Sequence, residues 1–158
     1  MSETLHERDF YAWTQEQAGA LRERPVASNA VDWEHVAEEI EEMGSEQRHA
    51  CEAYTKRIIE HLFKLHATAA VDPVNHWKAE IDTFRSDLEL RLTPTIKAHV
   101  LRELENLHLL AVRDAAKAFR RQEPGSRIDA SLRWTWSEIV GEAESDPVDR
   151  EYPLLREA

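Results

Sequence analysis

Cysteine is nearly absent. Cys51 stands alone in 158 residues, so no disulfide can form within the chain and stability has to come from packing. Glycine and proline are scarce as well, at four and six. So few breakers, with long stretches free of turn clusters, argue for helices over a many-stranded fold. No apolar run approaches the roughly 20 residues that span a bilayer. The first ten residues, MSETLHERDF, lack a basic segment followed by an apolar one. The expectation is a cytoplasmic chain with no membrane association. Positive charge is in deficit: 31 acidic against 20 basic residues leave a net charge of −11. An acidic field repels phosphates, so neither nucleic acid nor an anionic lipid surface is an expected partner.

What remains is a chain with an ordinary hydrophobic share, 42%, long enough to bury one continuous core. The expected fold is all-α, a single-domain bundle of five main helices plus a short C-terminal helix over residues 1–158, with an irregular tail at 144–158. Phe10, Trp13, Ala20 and Leu21 recur at helical spacing from Asp9 to Arg24, and Pro25 ends that first helix. Ala27 to Val31 reads as a linker. Asp32 is a good N-cap for a second helix, whose stripe is Trp33, Val36, Ala37, Ile40 and Met43. Gly44 stands where a left-handed terminating residue is expected, and Ser45 can cap a third helix running to Ala69. That reading makes Asp32–Ala69 an antiparallel helical hairpin and the organising element of the chain. Trp77, Ile81, Phe84, Leu88 and Leu92 mark a fourth helix. Thr93-Pro94 opens a fifth, expected to run to about Arg121 and, being apolar over most of its circumference, to lie at the centre. Glu123 to Ser131 is loop-like. Thr135 with Glu138 forms a capping box for the short helix from Trp136 to about Ala143. An apolar patch at Tyr152, Leu154 and Leu155 follows.

The motifs Asp9-Phe10-Tyr11-Ala12-Trp13, Ala37-Glu38-Glu39-Ile40 with Gly44, His61-Leu62-Phe63-Lys64, and Trp77 with Arg85 occur in an order and at spacings that resemble the bacterial domain-of-unknown-function family DUF29. The likeness extends over nearly the whole chain, with departures at Leu65, His108 and Arg133-Trp134-Thr135. It implies an all-helical bacterial protein and imports no activity. Trp13, Trp77 and Arg85, which belong to those motifs, are the candidate binding residues.

Chemistry-bearing clusters are few. Glu46–His49 and Glu105–His108 both fit Glu-x-x-His, the spacing of carboxylate-bridged metal bundles. His49 falls on the water-facing side of its helix, however, and about one such match is expected by chance among 22 glutamates and eight histidines. Glu39 borders the apolar stripe of the second helix, but a tight hairpin leaves it about 16 Å along the axis from His61. His61 with Lys64, and Asp9 orienting the imidazole, is the cluster that the proposed hairpin can bring together. Candidate catalytic residues are therefore Asp9, Glu39, His61 and Lys64; no metal and no cofactor is assigned. Cys51 has His49 nearby in sequence but on another helical face, and no phosphate-binding or nucleophile-elbow motif is present. Two functional classes stay open. One is a non-enzymatic protein-interaction or regulatory module, with a protein partner or self-association through the apolar face of the fifth helix or the C-terminal patch. The other is an enzyme or metal-binding protein using the Glu/His/Lys/Asp cluster between the first three helices.

Overall fold

The computed structural model describes residues 2–24 and 30–151. Among these are seven α-helices and no β-strand: α1 (Leu5–Arg8), α2 (Phe10–Arg22), α3 (Trp33–Ala67), α4 (Asp72–Arg91), α5 (Pro94–Arg102), α6 (Leu104–Gln122) and α7 (Trp136–Val140), then a 3-10 turn at Pro147–Asp149. The all-α expectation holds. Pro25, most of the expected linker, and the patch at Tyr152, Leu154 and Leu155 lie outside the described residues.

The local start signals act as their chemistry dictates. The Asp32 carboxylate accepts from the His35 N–H, Thr93 accepts from Ile96 with Pro94 in the first turn, and Thr135 and Glu138 cap each other reciprocally. The short helix stops at Val140, earlier than expected, because Gly141 takes the left-handed conformation at φ 81°.

Gly44 does not end a helix. Helix α3 runs unbroken through it for 35 residues, about 52 Å, so the expected hairpin at 32–69 is one rod. The reason lies 30 positions upstream. A Cβ on Gly44 would sit 2.1 Å from Thr14 Oγ1 and 3.3 Å from Tyr11 Cδ2. Glycine is there to let α2 press against α3, with the buried Thr14 hydroxyl turned back onto the Tyr11 carbonyl at 2.7 Å. Ser45, expected as a cap, is simply mid-helix.

Two further expectations change. The fifth helix is split at Glu103 into α5 and α6, and the central element is α3, which packs against α2, α4, α5, α6 and α7. Positions 58–64 of α3 are buried without interruption, so this half of the rod has neighbours on every side. Ile58, Ile59, Leu62 and Phe63 meet Ile81 and Leu88 of α4, Ile96 and Val100 of α5, Leu107, Ala111 and Ala115 of α6, and Ile139 of α7. Each fully buried large side chain contributes about 1.5–3 kcal/mol relative to exposure. Most of the apolar face of α5 and α6 is thus consumed in the core, while Leu101 on it stays exposed.

Candidate functional site

The enclosed half of α3 is not all apolar. Glu60, His61 and Lys64 are buried at 3%, 1% and 7% exposure among the isoleucines and leucines around them. Buried charge is tolerated only when paired, and here the pairing is internal. Glu60 receives Arg57 Nη1 at 2.8 Å and Lys64 Nζ at 3.0 Å, one helical turn on either side. Lys64 Nζ also lies 5.9 Å from the centroid of the Trp77 ring, and the Arg57 guanidinium 5.7 Å from that of Phe84. Both aromatic rings come from α4.

His61 is engaged at both nitrogens. Its Nδ1–H donates to the Arg57 carbonyl at 2.9 Å, and Nε2 meets the Glu80 carboxyl of α4. His76, one turn before Glu80, approaches the same carboxyl at 3.5 Å. With Nδ1 already donating, a hydrogen bond at Nε2 needs one further proton between the imidazole and the Glu80 carboxyl. Burial pushes the imidazole below its ordinary range and the Glu80 contact works against that. Glu80 is held below the usual carboxylate range chiefly by the His61 hydrogen bond. The arrangement can hold a proton, and Glu80, about one-third exposed, is its route to solvent.

Of the residues marked in the sequence, His61 and Lys64 belong to this cluster and Asp9 and Glu39 do not. Asp9 caps α2 through Ala12 N–H at 2.9 Å and takes the Thr95 N–H at the start of α5 at 2.7 Å. Burial raises its carboxyl, but these hydrogen bonds outweigh burial and hold it below its ordinary range. Glu39 is exposed, 22 residues before His61 on one continuous rod, about 33 Å away. The expected Asp9–His61 orientation and any joint Glu39–His61 site are therefore set aside. Residues the sequence reading missed are Glu60 and Glu80. Glu60 was visible at i+3 from Arg57 and i−4 from Lys64; Glu80 depends on how α4 slides along α3, which no local pattern records.

The candidate binding residues separate too. Trp13 packs with His6 and Phe10 at the N-terminal end. Trp77 packs against Phe119. Arg85 is spent on α7: its guanidinium donates to the Glu138 and Ile139 carbonyls and to both oxygens of Asp146, all at 2.8–3.0 Å. It closes the open end of that helix.

The two Glu-x-x-His matches give no ligand set. His49 is exposed. His108 is buried, donates from Nδ1 to the Leu104 carbonyl at 2.8 Å, and accepts at Nε2 from the Trp134 N–H at 3.1 Å. No group of three or more metal-ligating side chains with metal-binding geometry occurs among the described residues. The Cys51 thiol is buried and pushed up to about 11 by desolvation, so it is not a nucleophile at neutral pH. No helix among the described residues is long and apolar enough to cross a membrane.

Residues 5–143 match the family model described as domain of unknown function DUF29. The chain belongs to the DUF29 family. None of the curated proteins compared with it matches. The fold of this DUF29 chain is similar to the crystal structure of an alpha-helical protein of unknown function from Rhodospirillum rubrum ATCC 11170, with a TM-score of 0.80 and 22% identity over 96% of this chain and 100% of the other. That likeness establishes the helical fold and carries no activity.

Proposed function

We propose that this DUF29 protein is a non-enzymatic protein-interaction module, and that its Glu60–His61–Lys64 cluster serves the fold. One observation carries the reading: Glu60, His61, His108 and Arg85, the side chains with catalytic chemistry described above, are satisfied from within. Glu60 is bracketed by two cations, His61 and His108 use both ring nitrogens, and Arg85 is consumed by a helix end. A catalytic group needs an open valence facing a cleft where substrate can sit. The cavities at Arg85–Trp136, Arg113–Ile128, Arg57–Arg121 and Arg48–Leu110 are lined by neither His61 nor Lys64 nor Glu80; Glu60 alone of the cluster reaches one, the Arg57–Arg121 hollow, with both of its oxygens already paired. The reading places the protein in a reducing cytoplasm, where a lone buried cysteine needs no partner.

The rival acid–base reading keeps one supporting observation, the contact of His61 Nε2 with the Glu80 carboxyl, which itself reaches water. The test is the hydrodynamic size of the protein in a fresh extract of its source cells. An interaction module migrates well above its own 18.3 kDa at physiological salt and shifts down at high salt. Migration at the monomer mass under both conditions overturns the reading.

A further inference from the structure

The outward chemistry of the chain is divided between two ends. On α3, Glu38, Glu42 and Glu46 form a ridge at i, i+4 spacing with Glu39 beside it, all exposed, and no ion pair among the described residues engages them. Like charges at this spacing repel along the helix, and Arg22, paired with Glu41, offsets this only at the Glu38 end. Met43 projects from the same region, flanked by Glu39 and Glu46, and is 52% exposed.

The opposite end is basic despite the net charge of −11. On α6, Arg113, Lys117 and Arg121 repeat the i, i+4 spacing with Arg120 beside them, all exposed. Nearby carboxylates are already taken. Asp114 is paired with Lys56 and Arg113, and Glu123 accepts from Thr68, Ala69 and Ala70. Between this helix and the loop after it lies a trough of about 460 Å³, with Ala116, Phe119, Pro124 and Ile128 along it and Arg113 and Arg120 at its rim.

The two ends match in charge and in spacing. We propose that a second copy of this chain docks Met43 into the Ala116–Ile128 trough, with Glu39 and Glu46 meeting Arg113 and Arg120 at the rim. This rests on the interaction-module reading and names its partner. A small anion such as phosphate is a poorer occupant of this face, because Glu60 and Asp114 line the adjoining hollow; a glutamate-bearing helix reaches Arg120 and the Nη1 edge of Arg113, which Asp114, bonded at Nε and Nη2, leaves open. The contact joins different surfaces on the two copies, so each chain keeps one unused end and growth past a dimer follows.

The test uses the purified whole chain and sedimentation velocity between about 10 and about 500 μM, a range suited to small polar interfaces. At about 0.15 M salt the Debye length of about 8 Å screens the net repulsion while leaving rim contacts intact; at about 1 M it falls to about 3 Å. Wild type is expected to associate in the first condition and at least about tenfold more weakly in the second. R113E/R120E and E39K/E46K are each expected to sediment as monomers, E39K/E46K with unchanged thermal unfolding and R113E/R120E with only the small loss that an exposed Arg113–Asp114 pair accounts for. Their equimolar mixture is expected to associate again, through one native and one charge-reversed contact. A wild type monomeric throughout, single variants that associate like wild type, or a mixture that stays monomeric overturns the proposal. Those outcomes leave the interaction-module reading to its own test in extract, where a different acidic partner would still register as a larger complex.

Discussion

Replacing Gly44 by alanine tests whether the close approach of α2 and α3 is what keeps that position empty. An alanine Cβ would stand 2.1 Å from Thr14 Oγ1, inside any permitted contact, and 3.1 Å from Thr14 Cβ, a tight one, so Thr14 or α2 must shift. Overpacking of this kind costs about 1–3 kcal/mol. Exchanging glycine for alanine inside a helix returns about 1 kcal/mol of propensity. The expected net loss for G44A is therefore about 0–2 kcal/mol. In a Thr14→Ala background the 2.1 Å contact is gone while the tight approaches of the residue 14 Cβ at 3.1 Å and Tyr11 Cδ2 at 3.3 Å remain, so G44A costs less there than in the wild-type background. The quantity to measure is the coupling between the two sites, from urea unfolding followed by helical circular dichroism in all four proteins. A coupling of about 1–3 kcal/mol is expected for groups in direct contact. If G44A changes stability equally in both backgrounds, Gly44 is not held by Thr14. A terminating glycine would give that result, and the account of α3 as one rod pressed by α2 would fail.

Other consequences follow from the buried pairs. Glu60→Ala leaves Lys64 enclosed without its carboxylate and should cost about 3–5 kcal/mol, most of it recovered in a Glu60→Leu/Lys64→Met variant; thermal unfolding reads both. Arg85→Ala should cost about 2–3 kcal/mol and raise amide exchange across α7, with Arg85→Lys recovering little, since an ammonium cannot reach two carbonyls and a carboxylate at once. Burial holds His108 below its ordinary 6.5, and its neutral form makes both of its hydrogen bonds. The unfolded chain then binds the proton more readily than the folded one, so this contribution is fully present above about pH 6.5 and is lost as pH falls below it. Unfolding measured from pH 7.5 to 5 should show stability declining with acid, and His108→Gln should flatten that decline; an unchanged slope would refute the assignment.

The legible part of this structure was the local part. Asp32, Thr93 and Thr135 announce their helices because an N-cap is decided within three residues. Gly141 ends α7 for a reason equally local. Gly44 was misread because a glycine inside a helical pattern signals either a stop or a close neighbour, and the deciding residue, Thr14, is 30 positions away on another helix. The rank of the helices was misjudged for a related reason. The fifth helix carries apolar residues over more than half of its circumference, yet α3 is central, because the polar residues of its enclosed half are partnered, Glu60 by Arg57 and Lys64, and His61 by the Arg57 carbonyl and Glu80, and that half can be buried all round. Half of the candidate site was visible as His61 and Lys64 on an apolar stretch. Asp9 was drawn into it by the supposed hairpin, and left it once the rod was seen to carry the N-terminal helix to the other end.

The central claim is that the buried cluster holds the fold while the surface does the work. A His61→Gln/Glu80→Gln variant, expressed in the source cells in place of wild type, tests it most directly through the size of the protein in extract. The account predicts the same salt-sensitive large species as wild type, with only a lower unfolding temperature in the purified chain. A folded variant that has lost the large species, or cells that lose a reaction while the complex persists, would contradict it and return His61 and Glu80 to the role of acid–base chemistry.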